Sequence, residues 1–406
     1  MKRRNVIKGL SLLPFAGGAI GSVIPSSYAV AAPGSKRDVF AELGLRTFIN
    51  AAGTYTSMTA SLMPKEVMDA INSSAKEFVM LDEVQDKVGE KIAAMCHAEA
   101  AMVTAGCWSA MVLGMAGVLT GADTKKIAQL PDLEGTDMKS EVIVQKTHMG
   151  GYDHALTNTG VKLVAVETSE DAVHTINEKT AMMWFLNREA ATGQIQHEAF
   201  LQIAKQHNIP TMIDMAADVP PVENLWKYND MGFDLVCISG GKAICGPQSA
   251  GILMGKKNLI AAARLNGPPN GGNIGRGMKV NKEEIIGMYV ALDSYIKRDH
   301  NKEWKIWEER IAVINDAIKN LGGVTTEISV PPVANHTPSL EISWDNSKVK
   351  ITRDAFAEKL RKGAPSIEVV SWEKDNSIRL TVFMLKPGQE KIVAARIKEE
   401  LLLASV

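Results

Sequence analysis

The chain has 406 residues, 46% of them hydrophobic, with 45 Lys and Arg against 46 Asp and Glu for a net charge of −1. That length exceeds what one hydrophobic core usually organises, so two domains are expected. The balanced charge excludes the basic excess of a nucleic-acid-binding protein, and 4 cysteines in so long a chain make no disulfide framework.

Residues 1–31 read as a twin-arginine export signal. Arg3 and Arg4 precede two apolar residues and Lys8, a charge-free apolar stretch containing glycine follows to about Ala32, and Ala29-Val30-Ala31 is a small-x-small cleavage site. Pro14 and Pro25 break the stretch, and no later run of about twenty apolar residues occurs, so the expectation is a periplasmic or otherwise exported protein without stable membrane insertion once the signal is removed. An arm over 32–57 follows, containing a short strand and a turn through Gly53.

Residues 64–96 read as helical, with Val67, Ile71, Ala75 and Phe78 on one stripe, followed by a second helix carrying Val88, Ile92 and Met95. Glu83 and Gln85 read as a solvated helix start, with a functional role as the alternative. Ala100 to Ala105 is an apolar strand running into a turn at Gly106, then a long apolar helix to about Leu119. Backbone N–H groups at such a helix start seat a phosphate, and Gly106, Cys107 and Trp108 are the candidate cradle. Strand and helix signals then alternate: strand 141–147, helix 152–158, strands 162–167 and 181–186, helix 198–207, then strands at Thr211, Leu235 and Ala250. Such alternation argues a doubly wound, mostly parallel sheet whose ligands sit at the carboxyl ends of its strands. His148 ends one strand and is a candidate to stack on a ligand ring, with His154 as competitor. Asn187 and Arg188 end another, where either is a candidate to contact the substrate and Arg188 is equally a candidate for a structural ion pair.

Asp214 interrupts an apolar strand, which is costly unless it meets a cation or hydrogen-bond donors. Lys242 lies on a turn between two core strands, beside Gly240 and Gly241, a setting for a nucleophile. Together the two suggest pyridoxal 5'-phosphate (PLP), with Lys242 holding the cofactor as a Schiff base, Asp214 pairing with its ring nitrogen, and Ser239 close enough on the same turn to bind the phosphate. Cys107 and Cys245 fall beside this site, so an oxidised pair between them is conceivable. The stretch 265–277 is dense in glycine and proline and contains Arg276, with Lys279 just beyond. A helix over 282–297 follows. From about Asp299 the pattern becomes helix 304–321, strands 325–330 and 339–344, helix 353–362, strands 367–372 and 377–383, and helix 389–402, a compact α+β unit. Arg379 in its last strand is the candidate clamp for a substrate carboxylate.

The motifs Asp214-Met-Ala, Ser239-Gly-Gly-Lys242 and Gly246-Pro-Gln-Ser-Ala-Gly251 resemble the lysine region of fold-type I PLP enzymes, in the branch similar to selenocysteine synthase and D-glucosaminate-6-phosphate ammonia-lyase. Segments 48–56, 78–85, 274–280 and 385–388 resemble the ammonia-lyase side. The resemblance implies an α/β, PLP-dependent transferase-like fold, with a large sheet domain over 58–298 and a small C-terminal domain over 299–406. It also implies that the arm packs near the active site, where Thr54 is a substrate-binding candidate, and a homodimer or higher homo-oligomer in which Arg276 reaches a neighbouring site. The expected function is a PLP-dependent lyase acting on an amino acid or amino-sugar acid by Cα deprotonation and β-elimination, with no nucleic-acid partner and no metal. Selenium transfer is disfavoured because an exported chain does not meet tRNA. Racemisation, aldol cleavage and β-replacement are the alternatives within the cofactor's chemistry, and a catalytically inactive binding protein is the alternative outside it.

Overall fold

The computed structural model describes residues 37–406, so the export signal expected over 1–31 lies outside the described residues. The described residues 37–47 belong to a unit of their own, whose short helix Val39–Glu42 is capped by the Asp38 carboxylate accepting from the Ala41 N–H. The second unit, Phe48–Val406, contains every strand described. In chain order these are β1 (Ile49–Asn50), β2 (Ala100–Thr104), β3 (Glu141–Gln145), β4 (Lys162–Val166), β5 (Thr180–Leu186), β6 (Thr211–Asp214), β7 (Leu235–Ser239), β8 (Gly251–Gly255), β9 (Val324–Ser329), β10 (Ser339–Trp344), β11 (Ile367–Glu368) and β12 (Ser377–Thr381).

Seven strands form one sheet in the order β2-β8-β7-β6-β5-β3-β4. The pairs from β7 through to β4 are parallel, while β8 runs antiparallel to both of its neighbours. β5 is buried at every position because both faces of the sheet are covered. Its alternate residues divide between two cores: Met183 and Phe185 join Ile213, Val236 and Ile252 on one face, and Met182 and Trp184 join Val142, Met212 and Leu253 on the other. The helix Gly106–Thr120 lies within the second core and is apolar nearly all round. Its Gly117 has no room for a Cβ, which would stand 2.7 Å from the Ala263 backbone nitrogen.

The C-terminal segment builds a third core around the antiparallel sheet β9-β10-β12 and the helices His300–Ile318, Arg353–Lys362 and Gln389–Ala404. β1 pairs in parallel with β11, the Thr381 N–H donates to the Ala51 carbonyl, and Ile49 and Ala51 are buried in that core. Ile49 and Ala51 of the arm are therefore part of the C-terminal core. This is what carries Thr54 and Tyr55 to the edge of the large sheet.

Two expectations for residues 64–96 are corrected. The first helix ends at Ser74, before the expected second helix begins at Leu81, so Phe78 does not continue the stripe of Val67 and Ile71; it lies in the connection, fully exposed. Gln85 is buried rather than solvated: its amide donates to the Val103 carbonyl at 2.7 Å and accepts from the Val103 N–H at 3.1 Å, tying the helix to β2. Among the described residues no helix is long and apolar enough to cross a membrane.

Candidate active site

Lys242 is positioned by a loop that folds back on itself between β7 and β8. The Gly240 N–H donates to the Ala250 carbonyl, the Gly246 N–H to the Gly240 carbonyl, and the Cys245 N–H to the Lys242 carbonyl, all at 2.9 Å. Gly241 is required because a Cβ there would stand 2.5 Å from the Gln248 Cα. The Ser61 hydroxyl also donates to the Gly241 carbonyl at 2.7 Å, and the half-buried Lys242 side chain makes no ion pair among the described residues. It lines a cleft of about 560 Å³ together with Asp214, Asp218, Arg188 and, from the arm and the C-terminal core, Thr54, Tyr55 and Arg379.

Asp214 ends β6, buried, with one oxygen satisfied. Its Oδ1 accepts from the Ala216 N–H at 2.9 Å and from the Cys107 thiol at 3.4 Å, while Oδ2 has no hydrogen bond among the described residues. Burial pushes its carboxyl above the usual range. Such a carboxylate is stabilised by a cationic N–H entering from the cleft. The Cys107 thiol is raised well above its ordinary value, first by its hydrogen bond with Cys237 and then by burial, so it is an inert donor to Asp214. The conceived Cys107–Cys245 pair is not formed: all four cysteines are free, and the Cys245 thiol donates to the Ala243 carbonyl.

Cys107 also opens the 15-residue helix Gly106–Thr120, whose N-cap residue Ala105 supplies no side-chain cap. The first N–H groups of that helix are thus left to a ligand. Gly251, at the start of β8, lets this helix start pack against the sheet: a Cβ there would stand 2.5 Å from the Gly106 carbonyl carbon and 2.6 Å from the Cys107 nitrogen. Ser239 is half-buried at the end of β7, paired across the sheet with Gly251, and Trp108 faces outward.

The remaining candidates separate into those the cleft gathers and those it does not. Arg188 lines it, 3.0 Å from Glu189 and with its guanidinium 5.9 Å from the Tyr152 ring centre. Arg379 lines it, donating through Nη2 to Glu373 at 2.6 Å and to the Tyr55 hydroxyl at 3.4 Å, while its Nε and the Thr381 hydroxyl are buried without partners. Arg276 is exposed and lies outside this cleft. His148 is a correction. A short turn after β3 carries its ring beneath the sheet, 0% exposed, edge-on to Phe185, with Nδ1 accepting from the Leu186 N–H and Nε2 3.3 Å from the Gln145 amide. Burial drives it down to about 4, so it is a neutral core residue that presents no face to the cleft. Tyr152 is the aromatic residue of that region that does reach the cleft.

The signals that the sequence reading missed are Asp218, Tyr55, Tyr152 and Glu373. Asp218 was the most accessible of them, a second carboxylate four residues after Asp214 in the same apolar stretch. It is buried, its Oδ2 accepts from the Asn187 amide at 2.8 Å, and burial, reinforced by the neighbouring Asp214, pushes it up to about 7. Asn187 is itself fixed by the Tyr228 hydroxyl at 2.7 Å and by His197 Nε2 at 2.7 Å.

Residues 137–290, which include Asp214 and Lys242, match the family model Aminotransferase class-V. A solved structure titled D-glucosaminate-6-phosphate ammonia-lyase superposes with a TM-score of 0.79 at 25% identity, covering 91% of this chain and 100% of that one. This protein is a fold-type I PLP enzyme. In sequence the enzyme is 26% identical to the D-glucosaminate-6-phosphate ammonia lyase of Salmonella typhimurium, over 89% of this chain and 97% of that protein. It is 23% identical to a 5'-C-glycyluridine monooxygenase-decarboxylase of Streptomyces sp, over 91% and 93%. An L-seryl-tRNA(Sec) selenium transferase of Clostridium botulinum is 24% identical over 88% of this chain and 74% of the transferase. Relatives named for such different reactions each match most of this chain, so the likeness alone does not select the bond that breaks.

Proposed function

We propose that the enzyme is an ammonia-lyase acting on an unphosphorylated 2-amino-3-hydroxy acid of the D-glucosaminate type, converting it to a 2-oxo acid and ammonia. The carrying observation is that Lys242 and the half-satisfied carboxylate of Asp214 line one cleft. Lys242, Asp214, Ser239 and the N–H groups of Gly106 and Cys107 would hold PLP. When bound, the cofactor supplies an electron sink for the pair left at Cα. Lys242 Nζ moves the Cα proton, and Asp214 Oδ2 holds a proton on the face opposite its Ala216 and Cys107 donors. Arg379 Nε and the Thr381 hydroxyl, both unpartnered, seat the substrate carboxylate and orient the bond to be broken.

The preference for an unphosphorylated substrate follows from the cleft's charges. Each of its arginines already has an acidic neighbour, Glu189 for Arg188 and Glu373 for Arg379, which leaves no spare guanidinium among the described cleft residues for a distal phosphate. Export by the twin-arginine route is part of the same reading and rests on Arg3, Arg4 and the apolar stretch after them. Arg276, exposed and outside the cleft of its own chain, is assigned to a neighbouring copy's site in a homo-oligomer.

The test is to incubate the PLP-loaded enzyme with D-glucosaminate, its 6-phosphate, and a panel of D- and L-amino acids, measuring ammonia and 2-oxo acid. Equal yields of both products and a higher kcat/KM for the unphosphorylated acid are expected. A preference for the 6-phosphate overturns the substrate assignment, and spectral change without ammonia overturns the reaction.

A further inference from the structure

The cleft holds a titratable group that the mechanism above leaves unused. β-Elimination of a hydroxyl requires two proton transfers, because hydroxide is a poor leaving group: a base removes the proton at Cα, and an acid must supply one to the departing oxygen. Lys242 accounts for the first. Asp214, held by Ala216 and Cys107 on one oxygen and turned to the cofactor by the other, is committed elsewhere.

Asp218 has the features of the missing acid. It lines the same cleft and is 2% exposed. Its two oxygens are in different situations: Oδ2 accepts from the Asn187 amide at 2.8 Å, whereas Oδ1 is buried and meets no hydrogen-bond partner. The holding group is rigid, since Asn187 is bound on its other edges by Tyr228 and His197, and the His197 ring packs 4.5 Å from that of Phe185. The backbone is pinned as well, the Asn224 amide donating to the Asp218 carbonyl at 2.6 Å. A carboxyl oriented through one oxygen with the other left free is costly as structure alone.

We propose that Asp218 is the catalytic acid of the elimination, its Oδ1 giving a proton to the substrate's β-oxygen as the Cβ–O bond breaks. This rests on the lyase reading. The electron pair of the breaking bond stays on oxygen, which leaves as water. The pair from the Cα–H bond forms the Cα–Cβ double bond, and Lys242 carries the Cα proton. Asp218 ends as a carboxylate and is reprotonated from solvent, so the step balances without an oxidant or reductant. The charged and titratable groups facing Asp218 are Asp214, which favours its protonated form, Lys242 and Arg188, which oppose it, and Tyr228 across Asn187. Burial outweighs the two cations, and the carboxyl keeps its proton up to about 7.

The test separates the two proton transfers in Asp218→Asn. PLP affinity is titrated on the cofactor-free protein. D-glucosaminate is then incubated with the loaded enzyme in deuterium oxide, with deuterium at Cα of recovered substrate and released ammonia both measured. The variant is expected to bind PLP within about twofold of wild type, unlike Asp214→Asn, and to go on exchanging the Cα proton. Its ammonia release should fall at least about 100-fold, the usual contribution of a general acid. In the wild type, ammonia release should decline as pH rises through about 7 while exchange does not. Exchange and ammonia release falling together, PLP affinity falling as in Asp214→Asn, or unchanged ammonia release overturns the role of Asp218. A wild-type enzyme that exchanges no Cα proton from any 2-amino-3-hydroxy acid overturns the lyase reading itself.

Discussion

Replacing Gly251 with alanine should damage the proposed phosphate cradle at Gly106 and Cys107 without touching any side chain assigned to the cofactor. A Cβ at this position would stand 2.5 Å from the Gly106 carbonyl carbon, 2.6 Å from the Cys107 nitrogen and 2.9 Å from the Gly106 oxygen. Real Cβ atoms essentially never approach under 3.0 Å, and all three obstacles are backbone, so no rotamer change relieves them. The helix start must retreat from β8, at the ordinary cost of overpacking, about 1–3 kcal/mol. If that cost falls on the bound geometry, PLP affinity drops by roughly 5- to 150-fold. Cofactor-free wild type and Gly251→Ala would each be titrated with PLP and with pyridoxal, which lacks the phosphate, following tryptophan fluorescence. The expected result is a loss of that size for PLP and little change for pyridoxal. An equal loss for both ligands, or none for PLP, refutes the placement of the phosphate at Gly106 and Cys107.

Other outcomes follow from the charged residues. Asp218 is held neutral up to about 7 against an ordinary 3.8, so its ionisation costs stability that accumulates as pH rises between those values, at most about 4 kcal/mol. Cofactor-free Asp218→Asn should therefore melt above wild type at pH 8 and lose that advantage toward pH 4; a lower melting point at pH 8 contradicts the assignment. His148, depressed to about 4 from 6.5, has the opposite sense, because below pH 6.5 the unfolded chain takes up a proton that the fold refuses. Stability present above 6.5 is lost on acidification toward 4, by at most about 3 kcal/mol, and His148→Gln should flatten that limb with PLP affinity unchanged. A large loss of PLP affinity in His148→Gln would restore the stacking role. Arg379→Lys keeps the charge but lacks the planar fork, so kcat/KM should fall about 10- to 100-fold, while an unchanged value removes Arg379 from the carboxylate seat.

The parallel sheet was legible because its strands are continuous apolar runs between glycines and prolines, and β10 and the helix Arg353–Lys362 lie where periodicity puts them. Asp214 and Lys242 stood out because a charge in a core strand and a lysine among glycines are costly without a purpose. His148 misled because a strand end fixes the position of a backbone, not the side to which the next turn swings a ring. Phe78 misled because its spacing from Val67 and Ile71 suits a helix that in fact stops at Ser74. Tyr55 was out of reach for another reason. It meets Arg379 only because β1 pairs with β11, a contact between residues more than three hundred positions apart in the chain, which no local pattern announces.

The central claim is that the amine of Lys242 carries the cofactor. Borohydride reduction of the PLP-loaded enzyme, followed by proteolysis and mass spectrometry, tests it most directly. The account predicts one stoichiometric pyridoxyl adduct, on the peptide containing Lys242, and its absence in Lys242→Ala. An adduct on another lysine, or none in a protein that has retained PLP, would contradict it.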